Sequence, residues 1–441
     1  MALDLSPFLM FAGLFALIFL GLPISFCMIS VAFASSFYLF GDKAGVHLWT
    51  ILLDVARNYT LTAIPMFVLM GYLLARAGIA ERLFRAMQLW LGRLPGGMAL
   101  ATIGMCGVFA ASTGIVGAVE VVVGLMAIPA MLKAGYNKPL IAGTICAGGS
   151  LGTIIPPSVI AVIYASVADM SIGDLMAGII GPGLITLVAF LGYILVQAIL
   201  VPGGSPRGME PELERMPLWD RLVFTAASLL PAIVLIVAVL GSILAGVASP
   251  TEAAAVGVLG ALILAAAYRR LDRKVLEESC TETVKVTAMI MLIVAGGTMF
   301  TSTFILQGGG QAVQALITTY DLSQAAVIAA MVAIVFVLGF AFDWITIVLI
   351  CTPVFHPIVQ ALDIDPLWFG VLMIVTLQTS YLTPPMAPSI FYLKSIAPPE
   401  MTYRHMFIGV IPFVLCQFLV IAAVILFPAT ATYLPSILAK F

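Results

Sequence analysis

Charge is scarce in this sequence. Only 9% of its 441 residues are Asp, Glu, Lys or Arg, where a soluble domain carries about 25%. That excludes a soluble enzyme and a charge-rich disordered chain. Histidine is rarer: His47, His356 and His405 are too scattered for a metal cluster. Six cysteines form no Cys-x-x-Cys pair, and five lie inside apolar runs, where they read as small hydrophobes and not as a disulfide framework. There is no Gly-x-x-x-x-Gly-Lys-Ser/Thr loop, so ATP is not the direct energy source in this chain. No His-Glu-x-x-His and no Gly-x-Ser-x-Gly with a suitable base occur, so an intramembrane enzyme is disfavoured. No Arg-rich span marks a voltage sensor. The 19 basic and 21 acidic residues nearly cancel and predict no nucleic-acid partner. The first hydrophobic run has no basic flank or cleavage site and is expected to stay as a membrane segment.

What is present is apolar. Hydrophobic residues make up 62% of the chain, and the mean hydropathy is +1.18. An all-α polytopic membrane protein follows, because a bilayer core of about 30 Å takes about 20 apolar residues per helix. About ten full spans are predicted, near 6–22, 23–40, 59–77, 140–168, 175–200, 222–246, 250–268, 286–306, 367–395 and 405–428. Two further apolar segments, 97–130 and 323–352, are interrupted midway, by Ala111-Ser112-Thr113-Gly114 and by the run Leu338 to Asp343. Each reads as one long crossing or as a hairpin that enters and leaves on one side. The positive-inside rule separates the two. With two hairpins and the N-terminus outside, all Lys and Arg except Lys43, Arg57 and Lys440 fall inside. If 97–130 crossed instead, Arg93 and Lys133 would lie on opposite sides. Two re-entrant hairpins are therefore expected, the first based inside and the second outside, with both termini outside.

The run Gly152-Thr153-Ile154-Ile155-Pro156-Pro157-Ser158 resembles Tyr381-Leu382-Thr383-Pro384-Pro385-Met386, 228 residues later. Subtracting 228 from Gly308 gives Ala80, beside Gly78, and the amphipathic stretch from Gly78 resembles the one from Gly308. Each half reads as span, surface helix, hairpin, broken span, span, in opposite orientations. That is an inverted-topology repeat, a build common in secondary transporters. The expected division is scaffold helices over 1–58, a first repeat over 59–204, a linker and central scaffold over 205–285, and a second repeat over 286–441.

A proline pair removes two backbone donors, and a carbonyl freed in lipid must find another partner. A dehydrated cation suits such oxygens, and the free N–H groups of half-helix N-termini suit an anion. Each hairpin tip is expected against the Pro-Pro break of its own half, giving two cation sites with an anion site between. The first site is expected at Thr113 and at carbonyls near Ala110, Gly152, Ile155 and Pro157. The second is expected at Thr383 and at carbonyls near Gly339, Ser380 and Met386. Substrate candidates are Ser112, Gly114, Ser158, Asp343, Gln378 and Thr379. The plain alternative is that these kinks only shape helix packing. Asp343 is equally read as an N-cap, Gln378 and Thr379 as interhelical glue, and Glu120 as a pairing residue or a transport residue.

The motifs Ala63-Ile64-Pro65-Met66-Phe67, Gly78-Ile79-Ala80-Glu81-Arg82-Leu83, Met131-Leu132-Lys133-Ala134-Gly135-Tyr136, Ile154-Ile155-Pro156-Pro157-Ser158 and Leu382-Thr383-Pro384-Pro385-Met386 carry a resemblance. The chain resembles the large membrane subunit of the tripartite ATP-independent periplasmic (TRAP) transporters, of the ion transporter superfamily. The resemblance implies a multi-pass carrier of a bacterial or archaeal inner membrane with periplasmic termini. It implies sodium-driven import of an organic acid by an elevator motion, with two or more coupling Na+ ions at the tip and Pro-Pro junctions. It also implies two partners, a small four-helix membrane subunit and a periplasmic substrate-binding protein. Many members read Ser-Gly-Ser at the first tip. Thr113-Gly114-Ile115 lacks one of those hydroxyls, so the first site is expected to be weaker or rearranged. The Ser112 to Ala118 run looks like a subgroup linked to 2-oxo acids, mannitol or chloroaromatic acids, a pointer to a monocarboxylate. A stand-alone symporter of the divalent-anion class, and a channel or scaffold, are the alternatives.

Overall fold

The computed structural model describes residues 6–114, 116–201, 203–206, 216–319, 322–340, 342–384 and 387–438. Among the described residues the chain is helical and holds no strand. The first repeat contains α1 (Leu9–Phe19), α2 (Ile24–Phe40), α3 (Ala44–Arg57), α4 (Ala63–Arg76), α5 (Ile79–Leu91), α6 (Gly97–Thr113), α7 (Val116–Lys133), α8 (Lys138–Ile154), α9 (Val159–Val167) and α10 (Ile172–Leu200). The second contains α11 (Leu218–Leu244), α12 (Pro250–Ala267), α13 (Arg273–Leu306), α14 (Gly309–Thr319), α15 (Gln324–Leu338), α16 (Trp344–Ala361), α17 (Pro366–Leu382), α18 (Pro388–Ile396), α19 (Tyr403–Leu426) and α20 (Ala429–Leu438). Seven helical segments are long and apolar enough to cross a bilayer. The broken pair α8–α9 passes as a further span bent by 41°, and α1 and α17 are shorter apolar helices.

The offset of 228 residues recurs in the helix boundaries: α7 maps onto α16 and α8 onto α17 end for end. It also carries α2 onto α12, so the repeat extends to helices read from the sequence as separate scaffold. Contacts obey the same symmetry, since α4 lies along α12 and α13 along α2. Ser150 and Gln378 are themselves related by the offset, and they are hydrogen-bonded at 3.3 Å. Two equivalent residues touch only where the pseudo-twofold axis passes between them, so the axis runs through the α8–α17 contact.

Both hairpins are re-entrant. The Met98 backbone N–H donates to the Tyr136 hydroxyl at 3.1 Å, joining the two ends of α6–α7. The Gln324 amide donates to the Leu362 carbonyl at 3.3 Å and joins the ends of α15–α16. Lys138, at the start of the first broken span, pairs with Glu400, just after the second, at 3.4 Å. The start of one and the end of the other share a face, so the two spans run antiparallel. From Leu140 to Ile154 and from Trp368 to Leu382 every residue is buried, which puts the two N-terminal half-helices at the centre of the molecule. Here α8 crosses α19 backbone to backbone: a Cβ on Gly143 would collide with the Gly409 carbonyl. Small residues permit that approach.

Four boundaries differ from the sequence reading. Residues 44–57 form an amphipathic helix whose buried face is Ala44, Leu48 and Ile51; its charges hid it from a hydropathy reading. The second hairpin runs to Ala361, beyond 352, because Pro357 sits inside α16 as Pro129 sits inside α7. His356 therefore lies in the hairpin, bonded to Gln360 at 2.9 Å. Helix α13 starts at Arg273, with Asp272 capping it through the Val275 N–H. After α19 the chain adds α20, which packs on α10.

Candidate functional site

The breaks come first. In a continuous α8 the Gly152 and Thr153 carbonyls would accept from residues 156 and 157, which are prolines without N–H. The Thr153 carbonyl is satisfied by the Ser158 hydroxyl at 2.6 Å. Among the described residues no donor reaches the Gly152 carbonyl, which borders a cavity. The chain then leaves the helix in extended backbone at Ile155 (φ −84, ψ 117) and Ser158 (φ −115, ψ 125). The second break is similar, with Thr383 at φ −88, ψ 127. The Thr383 hydroxyl donates to the Thr379 carbonyl at 2.7 Å, and the Thr383 N–H takes the Ser380 carbonyl at 3.1 Å.

Each tip lies on the break of its own half, as expected. Gly114 ends α6 in the left-handed region at φ +63, its N–H donating to the Ala110 carbonyl at 3.0 Å. A Cβ there would stand 2.6 Å from the Pro157 carbonyl oxygen. Only glycine combines that φ with that approach. In the second half Gly339 lies directly on Ser380. Thr113 and Ser112 donate to the Phe109 and Val108 carbonyls at 3.0 and 2.8 Å, and a hydroxyl whose hydrogen is so engaged keeps lone pairs for a cation. At the first junction Gly114, whose N–H is held by Ala110, meets Pro157, and at the second Gly339 meets Ser380; Thr113 sits one residue before the first contact, and Thr383 three residues after the second. Met386 lies outside the described residues.

Between the junctions lies a cavity of about 680 Å³. The arms α4 and α13 line one wall with Val68, Tyr72, Arg76, Glu282 and Ile290; both hairpins and both breaks line the other with Gly114, Gly117, Gly152, Asp343, Trp344, Tyr381 and Tyr392. One end lies at Arg76, which pairs with Glu278 at 3.3 Å on the face that also holds Lys274. The first residues of α9 and α18, Val159 and Pro388, open onto the cavity. Neither helix has a side-chain N-cap bond; the positive end of α9 faces the space, and the first turn of α18 also carries Ser389, whose hydroxyl donates to Glu120. Helix α16 differs. Asp343 accepts from the Ile345 and Thr346 N–H groups at 3.1 and 3.4 Å and from the Thr346 hydroxyl at 2.6 Å. Asp343 is thus an N-cap that also borders the cavity. Asp343→Ala is expected to destabilise the second tip by about 1–2 kcal/mol, with Asp343→Asn largely retaining stability, read from thermal unfolding of the two variants.

Of the substrate candidates, Gly114 and Asp343 line the cavity. Ser112, Ser158, Gln378 and Thr379 do not, because all four are buried and turned to protein partners. Gln378 instead serves the α8–α17 contact, where Gln417 joins it on the Ser150 hydroxyl at 3.5 Å. The sequence reading missed Tyr72, Arg76, Trp344, Tyr381 and Tyr392 as cavity residues. Tyr381 and Trp344 stand beside the break and tip motifs, which was the available signal. Tyr72 and Arg76 gave none, since only the packing of α4 against the breaks brings them in.

Two hairpins facing two broken spans, around a cavity shared with the arms, define an all-helical polytopic carrier built as an inverted repeat. The chain belongs to the family described as "Tripartite ATP-independent periplasmic transporter, DctM component", which matches residues 11–430. It is 31% identical over 388 residues to a C4-dicarboxylate TRAP transporter large permease protein of Pseudomonas aeruginosa, covering 87% of this chain and 88% of that one. It is 31% identical over 427 residues to an ectoine/5-hydroxyectoine TRAP transporter large permease protein of Ruegeria pomeroyi, covering 96% and 97%. Among solved structures the YdaH transporter of Alcanivorax borkumensis matches with a TM-score of 0.61 at 13% identity, covering 91% of this chain and 90% of that one, and so shares the fold. The chain is a multi-pass membrane transport component and not an enzyme.

Proposed function

We propose that this chain is the large subunit of a sodium-coupled importer of an organic acid, a carboxylate. The observation that carries the reading is the cavity bordered at once by both tips, by the unpaired Gly152 carbonyl and by the two uncapped N-termini of α9 and α18. Oxygen donors at the junctions fit alkali cations, and the free N–H groups between them fit a carboxylate. The two junctions each hold one Na+. Thr113 and carbonyls of Ala110, Gly152, Ile155 and Pro157 serve the first; Thr383 with Gly339, Ser380 and Met386 serves the second.

The hairpins and broken spans move as one unit against the arms, an elevator motion. The basic face beside Arg76 is cytoplasmic by the positive-inside rule, so the cavity opens inward and both termini are periplasmic. A small membrane subunit steadies the arms, and a periplasmic binding protein delivers substrate, as membership in a tripartite family implies. The membrane is a bacterial inner membrane. In proteoliposomes holding the chain and both partners, uptake is expected only under an inward sodium gradient, without ATP. Uptake that follows ATP and ignores sodium contradicts the reading.

A further inference from the structure

Glu120 lies three residues beyond Gly117 on α7 and is fully buried. Its Oε1 accepts from the Ser389 hydroxyl at 2.6 Å, so the first hairpin is tied to the start of α18 in the other half. Its Oε2 has no partner among the described residues. No Lys or Arg there forms an ion pair with it. The side chain packs on Gly149, where a Cβ would collide with its Cγ. The titratable groups near enough to feel its charge are Cys106 on α6, Cys146 on α8, Tyr381 on α17 and Tyr392 on α18. All four are acids and none supplies a positive charge. A lone carboxylate in such a site is not sustained; it requires an occupant at Oε2.

A route for one exists. The Tyr381 hydroxyl is also buried without a partner, yet Tyr381 and Tyr392 both line the cavity. The Tyr392 ring packs on Gly117, with its Cζ 2.9 Å from a Cβ built there. Gly117 and Val121, on either side of Glu120 in α7, line the same cavity, so the turn of α7 that carries the carboxyl borders that space.

We propose that Glu120 is a proton-binding site of the moving unit, exchanging a proton at Oε2 with the cavity. On loading, a cavity hydronium gives up its proton, which ends on Oε2, and water and a neutral acid remain. Release is the reverse. The site deepens the transport reading by adding a proton to the ions the carrier handles, but its occupancy does not depend on sodium.

The test is an infrared titration of the full-length chain in lipid nanodiscs in sodium-free choline buffer. The carbonyl stretch of a neutral carboxylic acid is expected at pH 7 in the wild type. It should be absent in Glu120→Gln and displaced in Ser389→Ala, which keeps the carboxyl should the first variant fold poorly. The band is expected to disappear reversibly as pH is raised and to return after a jump back to pH 7. Three results would overturn the proposal: no Glu120 band at pH 7, a band that never titrates and so marks a fixed structural acid, or a band removed by NaCl at constant pH, which marks an alkali-cation site. Failure of sodium-driven uptake leaves these spectra untouched, so the two readings fail separately.

Discussion

Replacing Gly114 with valine is expected to abolish sodium-dependent uptake while the protein still assembles in the membrane. The residue sits at φ +63, where a β-branched side chain costs about 1–3 kcal/mol. Its Cβ would meet the Pro157 carbonyl at 2.6 Å, so the tip must lift off the break. The cost falls on one loop at the end of α6. The functional loss is larger, because the junction depends on oxygens from both sides being held together. A displacement near 1 Å in such a constellation costs on the order of a hundredfold in rate. Gly135 is the control. It also has a positive φ, +83, but nothing lies within 4 Å of its would-be Cβ. Gly135→Ala should therefore transport at close to the wild-type rate. A Gly114→Val protein with normal uptake would remove the first tip from the site.

The second large effect concerns stability. Gly143→Val should lower the unfolding free energy by about 3 kcal/mol and reduce the yield of folded protein. The added carbons would enter the space of the Gly409 carbonyl and the Phe413 ring, where α8 and α19 touch through their backbones. The neighbours are not flexible side-chain ends, so relaxation must separate two helices that hold the first break in place. Thermal unfolding of the purified chain reads the loss. Gly310→Ala, at a position with nothing within 4 Å of its would-be Cβ, should leave the midpoint unchanged.

The breaks were legible in the sequence because proline pairs in apolar spans are chemically unambiguous. They remove known donors at known positions, and the same gap of 228 residues recurs between Ser150 and Gln378 in space. The hairpins were legible because Arg93 and Lys133 had to share a side. The arms' share of the cavity was not. Tyr72 and Arg76 look like ordinary residues at the end of a span, and only tertiary packing turns them toward the tips. The polar residues beside the second break lie away from the cavity for a related reason. Gln378 and Thr379 look like substrate ligands in a linear motif, but α17 is buried on every side: the Gln378 amide nitrogen reaches Ser150 across the α8–α17 contact, and the Thr379 hydroxyl bonds back to Val375 in its own helix. Asp343 fitted both readings, and it caps α16 while bordering the cavity. Helix α3 escaped because an amphipathic surface helix has too little net hydropathy to register as a span.

Cation binding by the opened backbone is tested most directly by the thermal stability of the purified chain in rising NaCl against choline chloride at equal ionic strength. A ligand that binds only the folded form adds RT ln(1 + [L]/Kd), about 2.7 kcal/mol at a hundred times Kd. A Tm that climbs with sodium and stays flat with choline is expected, with Thr383→Ala displacing the curve to higher sodium. Equal curves in the two salts, or a Thr383→Ala curve that overlays the wild type, would contradict the assignment.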